Sequence, residues 1–352
     1  MNIDFKGKMI SGVLSILPEN EYCFEDEAAN PYDAKARRLK KIIGFGTRRR
    51  VKGSTVLSDM LLYGMNYLID NNKIQKDEIG AIVVSTLSPD YFLPQISSII
   101  HGELGLSRDV FCIDISQACA GYVMGLIQSF MLLEHMCDKK VILCTGEIFN
   151  RKSLDDEPKF LNPSFGGDIA NITVVENLEE GQTIFGSVYN DGAQRNSLLI
   201  RDGGFQNPMT PQKISLQTNN IPFVGVEMDG SSVFNFVQKE IPSAVVELAE
   251  RAAISIEDID YFLFHQPNKF MLQKLAEKLG VPYKKMPMDI TERLGNSDSG
   301  TIPAVMTTDV AEALLKNENL CCLSGFGGGL TWASLIMSVG CLKFCENIVS
   351  DL

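Results

Sequence analysis

The sequence predicts an α/β protein built from two similar halves. Three observations predict it: landmarks that recur at long range, buried-type strands at matching places, and amphipathic helices between them. The segments DEIGAIVVSTLSP (77–89) and EDIDYFLFHQPN (257–268) each set an acidic lead before an apolar run suited to a sheet covered on both faces. A helical stretch follows each and stops at Leu104-Gly105 and at Leu279-Gly280, where glycine supplies the turn that ends a helix. Nine residues beyond each glycine stands Asp-Ile, at Asp114-Ile115 and Asp289-Ile290. VILCTGE (141–147) and LCCLSGFGGG (320–329) close the two series, all at an offset of 175 to 180 residues. Helices are predicted over 58–72 and 241–253, and the polar, proline-bearing stretch 203–223 reads as an irregular connector or cap. A pseudo-symmetric chain of this kind places its chemistry where the halves meet.

Bulk composition narrows the function. At 352 residues the chain can bury a large core, and 45% hydrophobic with 22% charged residues is the profile of a globular enzyme. A formal net charge of -12 argues against nucleic acid as a partner, because phosphate recognition needs a basic face. The nine cysteines include no Cys-x-x-Cys pair and lie mostly in apolar segments, which points to a reducing compartment. Cys112, Cys137, Cys144, Cys321 and Cys322 read as packed core residues. The three histidines are scattered and form no ligand spacing with cysteine, so no metal is expected. MNIDFKGKMI lacks the features of a signal peptide, and no stretch has the length of a membrane span, so a cytoplasmic location is expected.

The segment FCIDISQACAGYVMGLIQSFMLLEH (111–135) reads as strand, small-residue turn and apolar helix, with Cys119 at the turn. Ala118, Ala120 and Gly121 leave room beside the sulfur, and a helix starting there aims its free N–H groups at it, which favours the nucleophilic thiolate. A packed core cysteine is the ordinary fate of such a residue, and only the turn sets Cys119 apart. His265 ends the apolar run YFLF, a strand end where α/β folds present site residues, although a hydrogen-bonded core histidine would look the same. His101 and His135 lie in helical patterns and read as structural. Asn296 stands in the small-residue loop RLGNSDSGTIP (293–303), either offering its amide to a pocket or making an ordinary turn. GFGGGLTW (325–332) supplies backbone amides for an oxyanion hole, or a bare hairpin; it fits neither a phosphate loop nor a dinucleotide fingerprint.

Together DISQACAGYVMGL, MDGSSVFNF (228–236), DIDYFLFHQPN, GNSDSGTIP and GFGGGLTW resemble, in order and spacing, the β-ketoacyl-ACP synthase III family of the thiolase superfamily. The resemblance covers nearly the whole chain. It implies a duplicated, five-layered α-β-α-β-α fold with an N-terminal half over 1–180 and a C-terminal half over 181–352, a homodimer, and a Cys119, His265, Asn296 triad. The implied reaction has two stages. An acyl-CoA acylates Cys119, with the amides of Cys119 and Gly328 as the oxyanion hole; a malonyl thioester on acyl carrier protein then loses carbon dioxide, and His265 and Asn296 donate to the enolate oxygen. No metal or bound organic cofactor enters.

Some positions depart from the family pattern. An adenine-stacking Trp and Arg are replaced near Lys40 and Gly44, a carrier-docking arginine is replaced by Phe270 beside Lys269, and Phe-Gly-Asp-Gly-Ala becomes SFGGDIANI (164–172). Leu93 matches a position where a phenylalanine floors the acyl pocket across the dimer, so a smaller floor and a longer or branched acyl group are expected. The basic group Arg37, Arg38, Lys40, Lys41, Arg48, Arg49 and Arg50 reads either as a solvated face or as a dock for CoA phosphates or an acidic carrier, with Arg48, Arg50 and Lys269 as the chosen candidates. The departures favour a specialised lipid or metabolite pathway over fatty-acid initiation. Two other functions stay open: acyl transfer to a hydroxyl or amine, separated by release of carbon dioxide, and a non-catalytic partner subunit, which would gain no acyl mass. A non-decarboxylating thiolase is disfavoured because no second cysteine stands in a matching context.

Overall fold

The computed structural model describes residues 1–23, 44–149, 166–179, 181, 183–210 and 226–352. Arg37, Arg38, Lys40 and Lys41, the start of SFGGDIANI and the later part of the 203–223 connector lie outside the described residues. In chain order the main elements are β1 (Asn2–Lys6), β2 (Lys8–Pro18), β3 (Asn20–Cys23), β4 (Thr47–Arg50), α1 (Leu57–Asp70), β5 (Ile79–Ser85), α2 (Ile96–Leu104), β6 (Phe111–Ile115), α3 (Gly121–Leu133), β7 (Lys140–Glu147), β8 (Ile169–Asn177) and β9 (Thr183–Asn190). Then follow β10 (Leu198–Ile200), β11 (Val226–Met228), α4 (Gly230–Ala252), β12 (Tyr261–Phe264), α5 (Lys269–Leu279), α6 (Ile290–Leu294), α7 (Thr301–Thr308), α8 (Ala311–Lys316), β13 (Glu318–Gly327), β14 (Thr331–Gly340) and β15 (Phe344–Ser350).

Two sheets carry the fold, ordered β15-β2-β8-β7-β5-β6 and β1-β9-β14-β13-β12. Their cores repeat one pattern. β5 runs parallel to β7, which is antiparallel to β8, which is antiparallel to β2; β12, β13, β14 and β9 repeat that series. Between the sheets, Tyr122, Leu126 and Phe130 of α3 and Ile302, Val305 and Met306 of α7 pack against Val83 and Leu143 on one side and Leu323 and Leu335 on the other. Outside the first sheet α1 and α2 bury Leu57, Leu61, Ile96 and Ile100; outside the second α4 and α5 bury Val237, Val245, Leu272 and Leu275. The result is the five-layered, duplicated α-β-α-β-α fold of the thiolase type.

Both helix-stop glycines take the left-handed turn, Gly105 at φ 60° and Gly280 at φ 69°. The helix expected over 241–253 begins earlier, at Gly230, where the Asp229 carboxylate accepts from the N–H groups of Ser231 and Ser232; Pro242 sits inside it. The second Asp-Ile landmark opens helix α6, whereas the first lies in strand β6, so the duplication is incomplete there. Asp114 instead caps α2, accepting from Ile96 N–H at 2.7 Å and Ser97 N–H at 3.0 Å. Of the five cysteines read as core, Cys144, Cys321 and Cys322 are buried, Cys112 is half-buried and Cys137 is exposed.

The boundary between 180 and 181 falls between β8 and β9, but the end strands do not respect it. β1 pairs antiparallel with β9 in the second sheet, and β15 pairs parallel with β2 in the first. Each half lends one strand to the other's sheet.

Candidate active site

After β6 the chain turns through Ser116, Gln117 and Ala118, and Cys119 directly precedes Ala120, the cap residue of α3. Gly121 N–H donates to Ala118 O at 2.7 Å and closes the turn. The β13–β14 hairpin presses on this turn because its residues there are glycines. A Cβ on Gly327 would stand 2.7 Å from Cys119 Cβ and 2.8 Å from its sulfur, and one on Gly325 would stand 2.9 Å from Ala120 Cα. Gly328 is less confined, with Leu198 the nearest group at 3.8 Å from such an atom.

His265 follows the last residue of β12, and its backbone N–H donates to Ser324 O at 2.8 Å, which extends the pairing with β13. Its ring is 1% exposed, meets the Phe326 ring edge-on at 5.5 Å and places Nδ1 2.9 Å from Thr301 Oγ1. Burial drives its pKa down to about 3, so the imidazole is neutral at working pH.

Asn296 lies in the loop between α6 and α7, half-buried, with Oδ1 accepting the Asp298 N–H at 3.0 Å. That bond leaves Nδ2 at the other end of the amide as the donor group. The loop belongs to the second half but is anchored in the first. Ser297 Oγ donates to Gly167 O at 2.8 Å, Ser299 Oγ donates to Ser85 O at 3.1 Å, and Asn171 Nδ2 donates to Gly300 O at 3.4 Å.

The loop also delivers Asp298, which sequence reasoning missed. Cys119 Sγ donates to Asp298 Oδ1 at 2.9 Å, and these atoms and a ring nitrogen of His265 all lie within 4.8 Å of one another. One correction follows. The turn at the start of α3 does not make Cys119 a thiolate: burial, then the neighbouring Asp298 carboxylate, push its thiol well above the usual value, outweighing the helix end.

Glu147, at the end of β7, is the second missed residue. It is fully buried and accepts from the Leu87 N–H at 3.0 and 3.1 Å, from Thr86 Oγ1 at 3.1 Å and from Ser88 Oγ at 2.8 Å. Burial, then the charge of Asp298, push its pKa from 4.5 up to about 8. The native state thus holds this proton more tightly than the unfolded chain. Stability therefore falls as pH rises between these two values, by at most about 1.4 kcal/mol per pH unit. Glu147→Gln should flatten that part of the slope in denaturant titrations at about pH 5, 6, 7 and 8, whatever its effect on absolute stability; an unchanged slope would assign the pH dependence elsewhere.

The peripheral candidates fare differently. Arg48 and Arg50 are 2% and 6% exposed, and burial, offset by Asp168, pulls Arg48 down to about 9. Arg50 stacks its guanidinium 4.7 Å from the Tyr22 ring centre. Neither forms the exposed dock expected of it, because alternate residues of β4 face inward; the arginine between them, Arg49, bonds Pro18 O and Glu21. Lys269 is held by Asp289 at 2.8 Å and Glu292 at 3.0 Å, so its charge is matched within the chain. Leu93 is 81% exposed and floors no pocket of its own chain. Among the described residues no helix is long and apolar enough to cross a membrane.

Comparison with known proteins agrees with this fold. The family profile described as 3-Oxoacyl-[acyl-carrier-protein (ACP)] synthase III C terminal matches residues 249–339, which include His265, Asn296 and the glycine hairpin. A beta-ketoacyl-[acyl-carrier-protein] synthase III of Streptococcus uberis is 30% identical over 83% of this chain and 87% of its own, and one of Streptococcus suis is 28% identical over 94% and 98%. The crystal structure of a 3-oxoacyl-(acyl-carrier protein) synthase from Burkholderia xenovorans LB400 superposes with a TM-score of 0.88 at 27% identity, covering 99% of each chain. With fold and sequence in agreement along nearly the whole length, the chain belongs to the β-ketoacyl-[acyl-carrier-protein] synthase III family of acyltransferase condensing enzymes.

Proposed function

We propose that the protein takes an acyl group from an acyl-CoA onto Cys119 and condenses it, with loss of carbon dioxide, with a malonyl thioester carried by acyl carrier protein. The observation that carries this reading is the contact of Cys119 with the 295–300 loop and its approach to within 4.8 Å of His265, both reached from the opposite half of the chain. A sulfur nucleophile stores the acyl group, the glycine hairpin packs against it through Gly325 and Gly327, and the oxyanion hole of this reading is made by the amides of Cys119 and Gly328. His265 and Asn296 then serve the decarboxylation stage as neutral donors. Thr301 Oγ1 lies 2.9 Å from both Nδ1 and the Asp298 carbonyl, and that carbonyl also takes the Thr301 backbone N–H. Donation from Nε2 requires that hydroxyl to turn its proton from the Asp298 carbonyl to Nδ1, which leaves the ring's own proton on Nε2.

A homodimer is part of the proposal. Leu93 adjoins exposed Tyr91 and Phe92, and β6 forms an edge of the first sheet with Phe111 exposed; a second copy would cover both features. Under this reading Leu93 meets the acyl chain in the partner's site.

The test is a panel of acyl-CoAs from acetyl to octanoyl, read by intact mass for acylation of Cys119, followed by malonyl-carrier addition. The expected result is an acylated protein that then releases carbon dioxide and a 3-oxoacyl carrier, with butyryl or longer donors preferred over acetyl. Acylation followed by transfer to a hydroxyl or amine without carbon dioxide would replace condensation with simple acyl transfer. Absence of any acyl mass would leave a non-catalytic subunit.

A further inference from the structure

Before the sulfur of Cys119 can attack, its proton has to leave, and two groups stand within reach. One is His265, a neutral ring whose Nδ1 faces Thr301 and whose burial makes it a weak base. The other is Asp298, whose carboxylate oxygen already accepts the thiol proton at 2.9 Å.

Asp298 is held for this contact. Its backbone sits in the left-handed region at φ 44°, a conformation that costs most side chains energy and that aspartate and asparagine tolerate best. The residues on either side are fixed, Ser297 to Gly167 and Ser299 to Ser85, and Asp298 N–H is tied to Asn296 Oδ1. The loop therefore positions the carboxylate against the sulfur instead of letting it swing to solvent.

We propose that Asp298 is a catalytic base of the acylation stage, taking the Cys119 proton as the sulfur attacks the donor carbonyl and passing it to the sulfur that leaves. The inference rests on the acyl-thioester reading above. The Sγ–H bond breaks and an Sγ–C bond forms; the donor C–S bond breaks and an S–H bond forms on the departing thiol. The carboxylate ends as it began, and no other reactant is consumed. Among the described residues, the titratable groups around Asp298 include Cys119 at the start of α3, His265 at the end of β12 and Glu147 at the end of β7. A carboxylate in this place lowers the thiolate population by like charge, and it compensates by being a base in contact.

Asp298→Asn tests this, because asparagine keeps the size and the tolerance for left-handed backbone but cannot accept a proton. Acylation of Cys119 is followed by intact mass from about pH 6 to pH 9.5 with two donors, an acyl-CoA and p-nitrophenyl acetate, a small activated ester that needs no CoA site. Wild type should show a flat rate from about pH 6 to 8. The variant should lose about 100-fold at pH 6.5, regain tenfold per pH unit and approach wild type above about pH 9. A loss of one constant factor at every pH, or a variant as fast as wild type at pH 6.5, would overturn the proposal. So would a wild-type rate that itself climbs tenfold per pH unit, a measurement that needs no variant to fold. Labelling by the nitrophenyl ester with the expected profile, but by no acyl-CoA, would sink the CoA reading and leave Asp298 as the base. Failure of both donors to modify Cys119 would overturn both.

Discussion

Cys119→Ala yields a protein that gains no acyl mass from any donor and condenses at least about 10⁴-fold more slowly than wild type, because the covalent stage has no substitute nucleophile. The other eight cysteines do not replace it. Cys144, Cys321 and Cys322 are buried within their sheets with thiols pushed far up by desolvation, and Cys137 and Cys341 are exposed on the surface. Decarboxylation offers a control, since His265 and Asn296 remain: Cys119→Ala should still release carbon dioxide slowly from a malonyl thioester without forming a 3-oxo product. Measuring carbon dioxide and product together checks this, and undiminished product would show that Cys119 is not the nucleophile.

His265→Ala and Asn296→Ala should do the reverse. Each leaves acylation of Cys119 within about tenfold of wild type and lowers condensation by about 10² to 10³, the usual effect of removing one donor from a developing oxyanion. The two should not add, because they act on one oxygen, so the double variant falls little below the worse single one. Stopped assays of acyl-enzyme formation and of condensation on the same samples separate the stages. Equal loss in both would instead assign His265 to the thiol. His265 carries a second burden, since its ring packs on Phe326 and Thr301, so His265→Gln, nearer in size, is the variant to compare.

Much of this was legible in the sequence because local chemistry there agrees with the fold. The acidic leads, apolar runs and Leu-Gly stops mark where β5, α2, β12 and α5 lie, and the left-handed Gly105 and Gly280 close their helices as expected. Cys119, His265 and Asn296 stand at element ends, where strand and helix patterns stop. What stayed hidden depends on the third dimension. Asp298 was in view inside GNSDSGTIP, but nothing along the chain says that an acid in a small-residue loop meets a sulfur 179 residues away. Glu147 closes an apolar strand, a signal that marks a strand-end acid and could have been weighed more heavily. Arg48 and Arg50 misled because a run of basic residues reads as surface, whereas strand alternation turns two of the three inward. The thiol state of Cys119 was misread for a related reason: a helix start is visible in sequence, and a facing carboxylate is not.

The crossing of the end strands has a consequence for how the molecule can be taken apart. A fragment stopping near residue 180 would lack the strand that runs beside β2, and its companion would lack the strand that borders β9, so each would present an unprotected row of backbone donors and acceptors. Such pieces would clump when made singly. Supplied jointly, they would clasp each other, and recovered activity would depend on simultaneous synthesis instead of later mixing.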